Sequence, residues 1–268
     1  YVDGTLTITQ ATITATAIDQ TKIYGAANPT LTISYSGFKN GEDSSVIDTP
    51  PTASTTASTT SIVGTYPITL AGGLDNNYII NLVAGTLTVT QATLTATADD
   101  KTRIYGDANP VFTISYSGFL NGDTEAVLDT PPIATTSADA TSPVGTYAIV
   151  PSGGIDNNYS ISYVDGTLTI TQAVLTVTAD DKSRIYGDAN PAFTVSYTGF
   201  KNGENETVLD VAPTASSAAS LTTAVGTYPI TASGGSDNNY SFNYVDGTLT
   251  ITQATITATA IDQTKIYG

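Results

Sequence analysis

The chain contains no cysteine, histidine, methionine or tryptophan among its 268 residues. Without cysteine it has no disulfide bond, no thiol nucleophile and no zinc–thiolate site. Without histidine it lacks the usual general base near neutral pH and the most common ligand of transition metals. Catalysis by two carboxylates needs one of them in an apolar pocket, whereas the acids of this sequence lie in polar, turn-like segments. We therefore predict that the protein is not an enzyme and holds no cofactor.

Basic residues are also scarce, since 8 lysines and arginines stand against 24 aspartates and glutamates, for a net charge of −16. A surface of this sign repels nucleic-acid phosphates and anionic lipids, so we predict no nucleic-acid partner. No apolar run approaches the roughly 18 residues that a membrane span needs, so we also predict no membrane insertion. No signal-peptide pattern occurs, and we expect any targeting or anchoring segment to lie outside this stretch.

An internal repeat with a period of 81 residues dominates the sequence. Self-similarity at a fixed period indicates tandem structural modules. A Gly-Thr-Leu-Thr motif recurs at this spacing, and its glycines are Gly4, Gly85, Gly166 and Gly247. An Asp-Asn-Asn-Tyr motif does the same, at 75–78, 156–159 and 237–240. The motifs keep their spacing without insertions or deletions, which predicts that the modules share one geometry, loops included.

The two ends of the chain repeat each other. Residues 1–25 and 244–268 are the same string, three periods apart, whereas the internal copies that begin at 82 and 163 differ from it. This pattern predicts a parent protein with a higher-order repeat of three modules, of which the chain is one unit plus an overlap. The alternative is that the overlap was introduced deliberately.

A shift in the alternation of apolar residues predicts the boundaries between modules. Apolar residues are even-numbered from Gly4 to Gln10 and odd-numbered after Ala11. Strand side chains alternate between faces, so this slip indicates an extended segment that leaves one core and enters the next. We predict modules at 11–91, 92–172 and 173–253, preceded by the last strand of another module at 1–10 and followed by the first strand of the next at 254–268. The extended segment contains no proline, so we expect an elongated, semi-rigid rod.

Within the first module the pattern is mostly that of β-strands, rich in threonine, isoleucine, valine and tyrosine with alternating polarity. The polar segment 42–47 fits one helical turn. The predicted strands are 12–18, 30–36, 52–57, 65–71 and 78–90. The predicted fold class is therefore all-β, in three tandem modules. A small immunoglobulin-like sandwich is favoured, and a β-grasp-like sheet is the alternative.

Several short motifs keep the same order along the modules. In the first module they read KIYGAANP, ISYSGF, VGTYPI, DNNY and GTLTVTQA. This ordered set resembles the MBG repeats of the YGX type, which occur in large repetitive bacterial surface and secreted proteins. The resemblance covers the three modules and both partial ends. It implies an extracellular or cell-surface location in a bacterium and an adhesin-like stalk, and it transfers no catalytic residue.

The Asp-Asn-Asn motif supplies the hard oxygen ligands that calcium prefers. Calcium binds roughly six to eight oxygens, and the sequence has no loop of the DxDxDG type. The other interpretation, which we favour, is a turn whose aspartate accepts hydrogen bonds from the local backbone. The calcium candidates are Asp75, Asn76, Asp156, Asn157, Asp237 and Asn238.

Three other features have structural interpretations. The 16 tyrosines all lie at positions related by the repeat, and we predict that they pack in the cores instead of forming a sugar-binding platform. Rows of threonine are typical of ice-binding surfaces, but the row changes face at Gln10, which favours ordinary solvent-exposed strands. No lysine position is kept in all three modules, which argues against an isopeptide cross-link in each.

These observations predict a structural spacer, a stalk segment of a long repetitive extracellular fibre or surface adhesin. The alternative is an adhesive repeat that binds glycans or proteins, in which repetition supplies avidity. The expected partners are neighbouring modules of the same or an identical chain, in head-to-tail or lateral fibre assembly. Near-identical neighbours favour strand exchange, so we expect residues 254–268 to pair with another chain and to promote association relative to residues 11–253 alone.

Overall fold

The computed structural model describes all 268 residues of the chain, which divide into two compact units. The first unit comprises Tyr1–Asp99, Phe112–Thr135 and Ile149–Gly166, and the second comprises Asp100–Val111, Thr136–Ala148 and Thr167–Gly268. The first repeat lies wholly in the first unit and the third repeat wholly in the second. None of the helices has the length and hydropathy that crossing a bilayer requires.

The first repeat forms seven strands, rich in the β-branched residues that favour extended backbone. They are β1 Ala11–Ala17, β2 Gln20–Ile23, β3 Ile33–Ser36, β4 Thr52–Thr55, β5 Gly64–Ala71, β6 Tyr78–Val83 and β7 Gly85–Thr90. One turn of 3-10 helix, Ser44–Val46, lies between β3 and β4. Asp43 caps this turn by accepting a hydrogen bond from the Ser45 backbone N–H at 2.9 Å. The predicted helical turn at 42–47 is confirmed.

The seven strands form two mixed sheets. One has the order β3-β1-β6, in which β1 is antiparallel to β3 and parallel to β6. The other has the order β4-β5-β7-β2, in which only β2 and β7 are parallel. The register places Ala15 of β1 opposite Tyr35 and Leu82 in the first sheet, and Leu87 of β7 opposite Tyr66 and Gln20 in the second.

The core of the first repeat lies between these two sheets. Alternate residues of β1, namely Ile13, Ala15 and Ala17, are at most 2% exposed, as expected for one face of a strand. Ala17 packs with Ile68 of β5 and Leu87 of β7, both fully buried. Burial of each of these two large side chains contributes about 2 kcal/mol. Two packed sheets form an immunoglobulin-like sandwich, which confirms the favoured fold, and the repeat does not adopt the β-grasp-like alternative.

The other two repeats contain the same elements. In the second they are β8 Ala92–Ala98, β9 Lys101–Ile104, β10 Ile114–Ser117, β11 Ile133–Thr135, β12 Gly145–Ser152, β13 Tyr159–Val164 and β14 Gly166–Thr171, with a 3-10 turn at Glu125–Val127. In the third they are β15 Ala173–Ala179, β16 Lys182–Ile185, β17 Val195–Thr198, β18 Thr214–Ser216, β19 Gly226–Ser233, β20 Tyr240–Val245 and β21 Gly247–Thr252, with a 3-10 turn at Glu206–Val208. The third repeat has sheets β17-β15-β20 and β16-β21-β19-β18 around Val177, Ile230 and Leu249, so it is a sandwich like the first.

The strands differ from the predicted ones in number at two places, and β3 begins at Ile33 instead of at residue 30. Strand β2 was not predicted, because only Lys22 of its four residues is buried and no apolar alternation marks it. The predicted strand 78–90 is in fact two strands in different sheets, β6 and β7, separated at Ala84. Gly85 permits this change of sheet, because a Cβ atom at this position would lie 2.4 Å from the Ala17 carbonyl oxygen.

The alternation of apolar residues shifts by one position at Gln91, and the segment around this residue links sheets of different repeats. Strand β7 belongs to the four-stranded sheet of the first repeat and β8 to a three-stranded sheet of the second, with Gln91 between them. Residues 1–10 and 254–268 form no strand and are exposed. The module limits 11–91, 92–172 and 173–253, and the assignment of both ends to strands of neighbouring modules, stay predictions.

Candidate functional site at the module junctions

A single glutamine connects each pair of consecutive repeats, and its side chain donates hydrogen bonds to the turn formed by the Asp-Asn-Asn-Tyr motif of the second repeat of the pair. The Gln91 side-chain amide donates to the carbonyl oxygens of Asp156 at 3.0 Å and of Tyr159 at 3.3 Å. Gln172 donates in the same way to Asp237 at 3.1 Å and to Tyr240 at 3.3 Å. Each glutamine follows the last strand of one repeat, so the end of that repeat fixes a turn of the next.

At the first junction, two tyrosines from different repeats donate to one carboxylate. The hydroxyl of Tyr24, which follows β2, donates to Asp123 Oδ2 at 3.0 Å, and the hydroxyl of Tyr159 donates to the same oxygen at 2.7 Å. The two rings meet edge to face with centroids 5.4 Å apart. Tyr24 and Tyr159 are only 7% and 2% exposed. Such aromatic pairs contribute about 1 kcal/mol beyond the area that they bury.

The second junction repeats this arrangement with a glutamate. Tyr105 donates to Glu204 Oε1 and Tyr240 to Glu204 Oε2, both at 2.6 Å. Their rings again meet edge to face, with centroids 5.6 Å apart. We call Glu42, Asp123 and Glu204, which occupy equivalent positions, the junction carboxylates. The face of a repeat that carries this residue is its proximal face, and the face that carries Tyr24, Tyr105 or Tyr186 is its distal face.

One contact differs in chemistry between the two junctions. At the first, Gly25 lies against the Leu120 side chain, so closely that a Cβ atom on Gly25 would be 2.7 Å from Leu120 Cδ1. At the second, the residue equivalent to Leu120 is Lys201, whose ammonium pairs with Asp107 at 2.9 Å. The residue equivalent to Asp107 at the first junction is Ala26. The first junction is therefore apolar at this point and the second is ionic.

Loops add further contacts at both junctions. The third residue of the Asp-Asn-Asn motif accepts a hydrogen bond from the preceding repeat, from Val63 N to Asn158 Oδ1 at 3.0 Å and from Val144 N to Asn239 Oδ1 at 3.0 Å. Tyr24 and Tyr159 also belong to one apolar cluster with Val89 and Leu94, which come from opposite sides of the first joint. The sequence predicted that tyrosines pack in cores, and these two pack in a core that is shared between repeats.

Burial at the junctions changes the acidity of the tyrosines. Burial raises the pKa of Tyr159 to about 12, and the neighbouring Asp123 carboxylate adds to this effect while the Leu120 backbone N–H opposes it. Burial, together with Glu204, also raises the pKa of Tyr105 and of Tyr240. These phenols therefore stay protonated and act as hydrogen-bond donors across the neutral range.

We expect the chain to lose stability in alkaline solution as these phenols ionise. A phenol whose pKa is raised by folding stabilises the folded state below its unfolded pKa and loses this contribution as the pH rises through its folded pKa. Between about pH 9 and about pH 11, Tyr159 alone should cost about 1 kcal/mol of unfolding free energy. Urea unfolding at a series of pH values measures the effect, and Tyr159→Phe should show a correspondingly shallower decline. An equal decline in both proteins would contradict the assignment.

A buried cation connects two loops near the distal face of each repeat. In the third repeat, Arg184 donates to the Ser220 carbonyl at 2.5 Å and to Asn190 Oδ1 at 2.7 Å. In the first repeat the equivalent residue is Lys22, which donates to the Ser58 carbonyl at 2.5 Å and whose pKa burial lowers. No carboxylate takes part in these hydrogen bonds, so backbone carbonyls compensate most of the cost of burying the charge.

We expect Arg184→Met to destabilise the third repeat by about 3 kcal/mol, because it leaves the Ser220 carbonyl and the Asn190 side-chain oxygen without their donor. Arg184→Lys should cost only about 1 kcal/mol, since the first repeat already uses a lysine at this position. Hydrogen exchange of residues 214–233 reports the stability of this repeat. Equal losses in the two variants would show that the hydrogen bonds to the loops do not stabilise the repeat.

The calcium candidates lie in turns. Asp75, Asp156 and Asp237 each accept two backbone N–H groups on Oδ1, at 2.7–2.9 Å. Asn76 and Asn157 each donate their backbone N–H to a nearby aspartate at 3.1 Å, and the Asn238 carbonyl accepts from Gln172 at 3.4 Å. No group of three or more acidic or other metal-binding side chains forms. The turn accounts for the motif, and calcium binding at these six residues stays a hypothesis.

The sequence did not predict the junction carboxylates. Each follows an Asn-Gly pair, and the acidic side chain there looked like one more polar loop residue. The signal was present, because an acid occupies this position in all three repeats, as Glu42, Asp123 and Glu204, while the three positions that follow it vary. Asp123 and Glu204 each accept from a tyrosine of the preceding repeat that lies 99 residues earlier in the sequence. Local sequence patterns do not relate residues at that separation.

Comparison with known proteins gives one family and several distant structures, two of which are tandem-domain proteins. No curated protein matches the chain. The I9–I11 tandem of titin is 16% identical over 92% of this chain and 98% of that one, with a TM-score of 0.24. N-cadherin EC1–3 of Drosophila is 12% identical over 71% of this chain and 77% of that one, with a TM-score of 0.22. At these TM-scores neither structure bears on the fold, which rests on the strand pairings.

The family model of the MBG domain (YGX type) matches residues 13–88, 94–169 and 175–250. These three segments coincide with the three repeats, and together they make up well over half of the chain. They are tandem modules of one repeat family. The chain therefore belongs to the MBG domain family of the YGX type.

Proposed function

We propose that the chain is a structural spacer, a stalk segment of a long repetitive extracellular fibre or surface adhesin in a bacterium. The observation that carries the proposal is the recurrence of one junction. Two tyrosine hydroxyls from neighbouring repeats donate to a single carboxylate at both internal junctions, Asp123 and Glu204. A spacer needs the same mechanical joint at each step, whereas a ligand site needs no fixed relation between neighbours.

The contacts at each junction oppose bending between neighbouring repeats. The joint itself is one residue long, Gln91 or Gln172, and its side chain is bonded to the next repeat. The rings of Tyr24 and Tyr159 pack against each other beside the joint. A hydrogen bond from Val63 N to Asn158 Oδ1 connects a loop of the first repeat to a loop of the second. Swinging the repeats apart would expose Tyr24 and Tyr159, at a cost of about 2 kcal/mol for each side chain. We take 11–91, 92–172 and 173–253 as the units that this joint connects.

One observation favours the alternative function, a repeat that binds glycans or proteins. The third repeat has an open groove of about 910 Å³ whose lining includes Phe193, Tyr197, Phe200 and Glu206. Partly exposed aromatic rings beside a carboxylate are a common feature of sugar-binding surfaces. The equivalent of Phe193 in the first repeat is Leu31, so the groove is not the same in every repeat. A site that supplies avidity would have to be present in each copy.

Screening the whole chain against glycan and host-protein arrays tests the proposal. We expect no reproducible binding tighter than about 100 μM, a range typical of incidental contact. Binding at about 1 μM that is lost in Phe193→Ala, with Leu31→Ala as the matched control in the first repeat, would favour the adhesive function instead. Both variants keep the junction residues, so a change in binding would report on the groove.

A further inference from the structure

The first and last segments of each repeat run side by side in the same direction. In the third repeat, β15 is parallel to β20 in one sheet, and β16 is parallel to β21 in the other. The first and second repeats have the same two parallel pairings. Because β15 leads into β16, and β20 into β21, the two ladders follow one another along the repeat. We call this pair of segments, 173–185 and 240–252 in the third repeat, the parallel clamp.

The register of the parallel clamp stays the same where the chain passes from one sheet to the other. Ala173 lies opposite Tyr240 at one end of the clamp, and Ile185 lies opposite Thr252 at the other. The offset between paired residues is the same in both ladders. The two segments are therefore held together in one alignment from end to end.

An aspartate side chain connects the two segments in the interval between the ladders. The Asp181 carboxylate accepts a hydrogen bond from the Thr248 backbone N–H at 2.7 Å. Asp19 and Asp100 make the equivalent hydrogen bond in the first and second repeats, at the same distance. Hydrogen bonds to a charged group are among the stronger ones in proteins. The clamp thus keeps a strong connection at the point where the chain changes sheet.

The path of the chain determines how tension would load the clamp. The chain enters the third repeat at Ala173, the first residue of one segment, and leaves it after Thr252, the last residue of the other. These two residues lie at opposite ends of the clamp, because the segments are parallel. Tension along the chain therefore slides one segment past the other, and the hydrogen bonds of both ladders resist together. If two strands were pulled apart from the same end, their hydrogen bonds would break one pair at a time.

We propose that the parallel clamp makes each repeat a load-bearing unit, which resists extension along the chain by shear. The source of the tension rests on the proposed stalk function, because a stalk that holds an object away from a surface is pulled along its length. The core adds to the resistance. Sliding of β15 along its axis would move Leu175 and Val177, both fully buried, out of a closely packed core.

Pulling on the third repeat of the full chain in two directions tests the clamp. The chain has no cysteine, so handles can be coupled through thioethers to introduced cysteines. Val174→Cys with Gln253→Cys places the handles at opposite ends of the clamp and loads it in shear. Val174→Cys with Ser241→Cys places them on opposite residues at one end, which peels the first ladder apart. In single-molecule force spectroscopy, the unfolding force in shear should be at least about threefold the force in peeling, because many bonds share the load.

A pair of neighbouring aspartates gives a second test in the shear geometry. Asp181→Ala should raise the rate of unfolding at constant force about tenfold, the effect of one lost hydrogen bond to a charged group. Asp180→Ala is the matched control, because the Asp180 carboxylate accepts from Thr194 and Ser196, which lie outside the clamp. It should change this rate by less than about twofold.

The result that would overturn the load-bearing clamp differs from the result that would overturn the spacer function. Equal unfolding forces in the two pulling directions, or equal rates in the two aspartate variants, would overturn the clamp. The spacer function would stand, since a spacer can hold its repeats in line without bearing load. Tight binding in the glycan and protein arrays would instead contradict the spacer function and leave the mechanical result unchanged.

Discussion

Replacing Gly247 with alanine is expected to destabilise the third repeat by about 3 kcal/mol, near the upper end for an added methyl group. Gly247 begins β21 at the point where the chain changes sheet, and a Cβ atom there would lie 2.2 Å from the Ala179 carbonyl oxygen. The obstructing atom belongs to the backbone of the central strand β15, so no side-chain rotation relieves the clash. Hydrogen exchange of the third repeat, measured by mass spectrometry, gives the change in unfolding free energy.

The chain contains a matched control for this substitution. Gly4 lies in the same ten-residue sequence, YVDGTLTITQ, but a Cβ atom added there would have no other atom within 4 Å. Gly4→Ala should therefore leave the stability of all three repeats unchanged within about 0.5 kcal/mol. A small effect at both positions would show that the change of sheet tolerates a side chain, and the explanation of the repeated glycine would be wrong.

Replacing the junction carboxylate Glu204 with alanine should cost about 3 kcal/mol of unfolding free energy, shared between the second and third repeats. The substitution leaves the hydroxyls of Tyr105 and Tyr240 without their acceptor, and each hydrogen bond to a charged group contributes about 2 kcal/mol. Denaturant unfolding gives the total loss, and hydrogen exchange should show faster opening on both sides of the junction.

Glu42 provides the comparison for this second variant, because it accepts from a single tyrosine and lies on an exposed face. Glu42→Ala should cost at most about 1 kcal/mol. A triple variant that combines Glu204→Ala with Tyr105→Phe and Tyr240→Phe should recover part of the loss, since it removes the unsatisfied hydroxyls together with their acceptor. Equal losses for Glu42→Ala and Glu204→Ala would contradict a shared role of Glu204 at the junction.

The sequence was sufficient to predict the fold class because side-chain alternation and the repeat carry that information directly. Ile13, Ala15 and Ala17 alternate with threonines in β1, and the same residues are buried in the structure. Alternation cannot show which sheet a strand joins, and this is why the sequence predicts a single strand at 78–90. The evidence for two strands is a steric constraint at Gly85, which depends on the distant Ala17 carbonyl.

The candidate site was harder to predict, because its members come from different repeats. Asp75 and its equivalents were recognised as turn residues, since an aspartate that caps its own backbone is a local feature. Tyr24 and Asp123 meet only when two repeats are packed, and sequence spacing alone does not determine that packing. The two junctions also differ at one position, which is Leu120 in the first and Lys201 in the second. The contact that each residue makes can be inferred only when its facing residue, Gly25 or Asp107, is known.

The central claim is that each junction holds two repeats in one orientation, and spin-label distance measurement across the first junction tests it most directly. Thr69→Cys and Asp165→Cys place labels on exposed residues of the first and second repeats. The distance distribution should be as narrow as that of a control pair within the first repeat, Thr12→Cys with Thr69→Cys, and Tyr24→Ala should broaden it. A distribution across the intact junction that is much broader than the control would contradict the account.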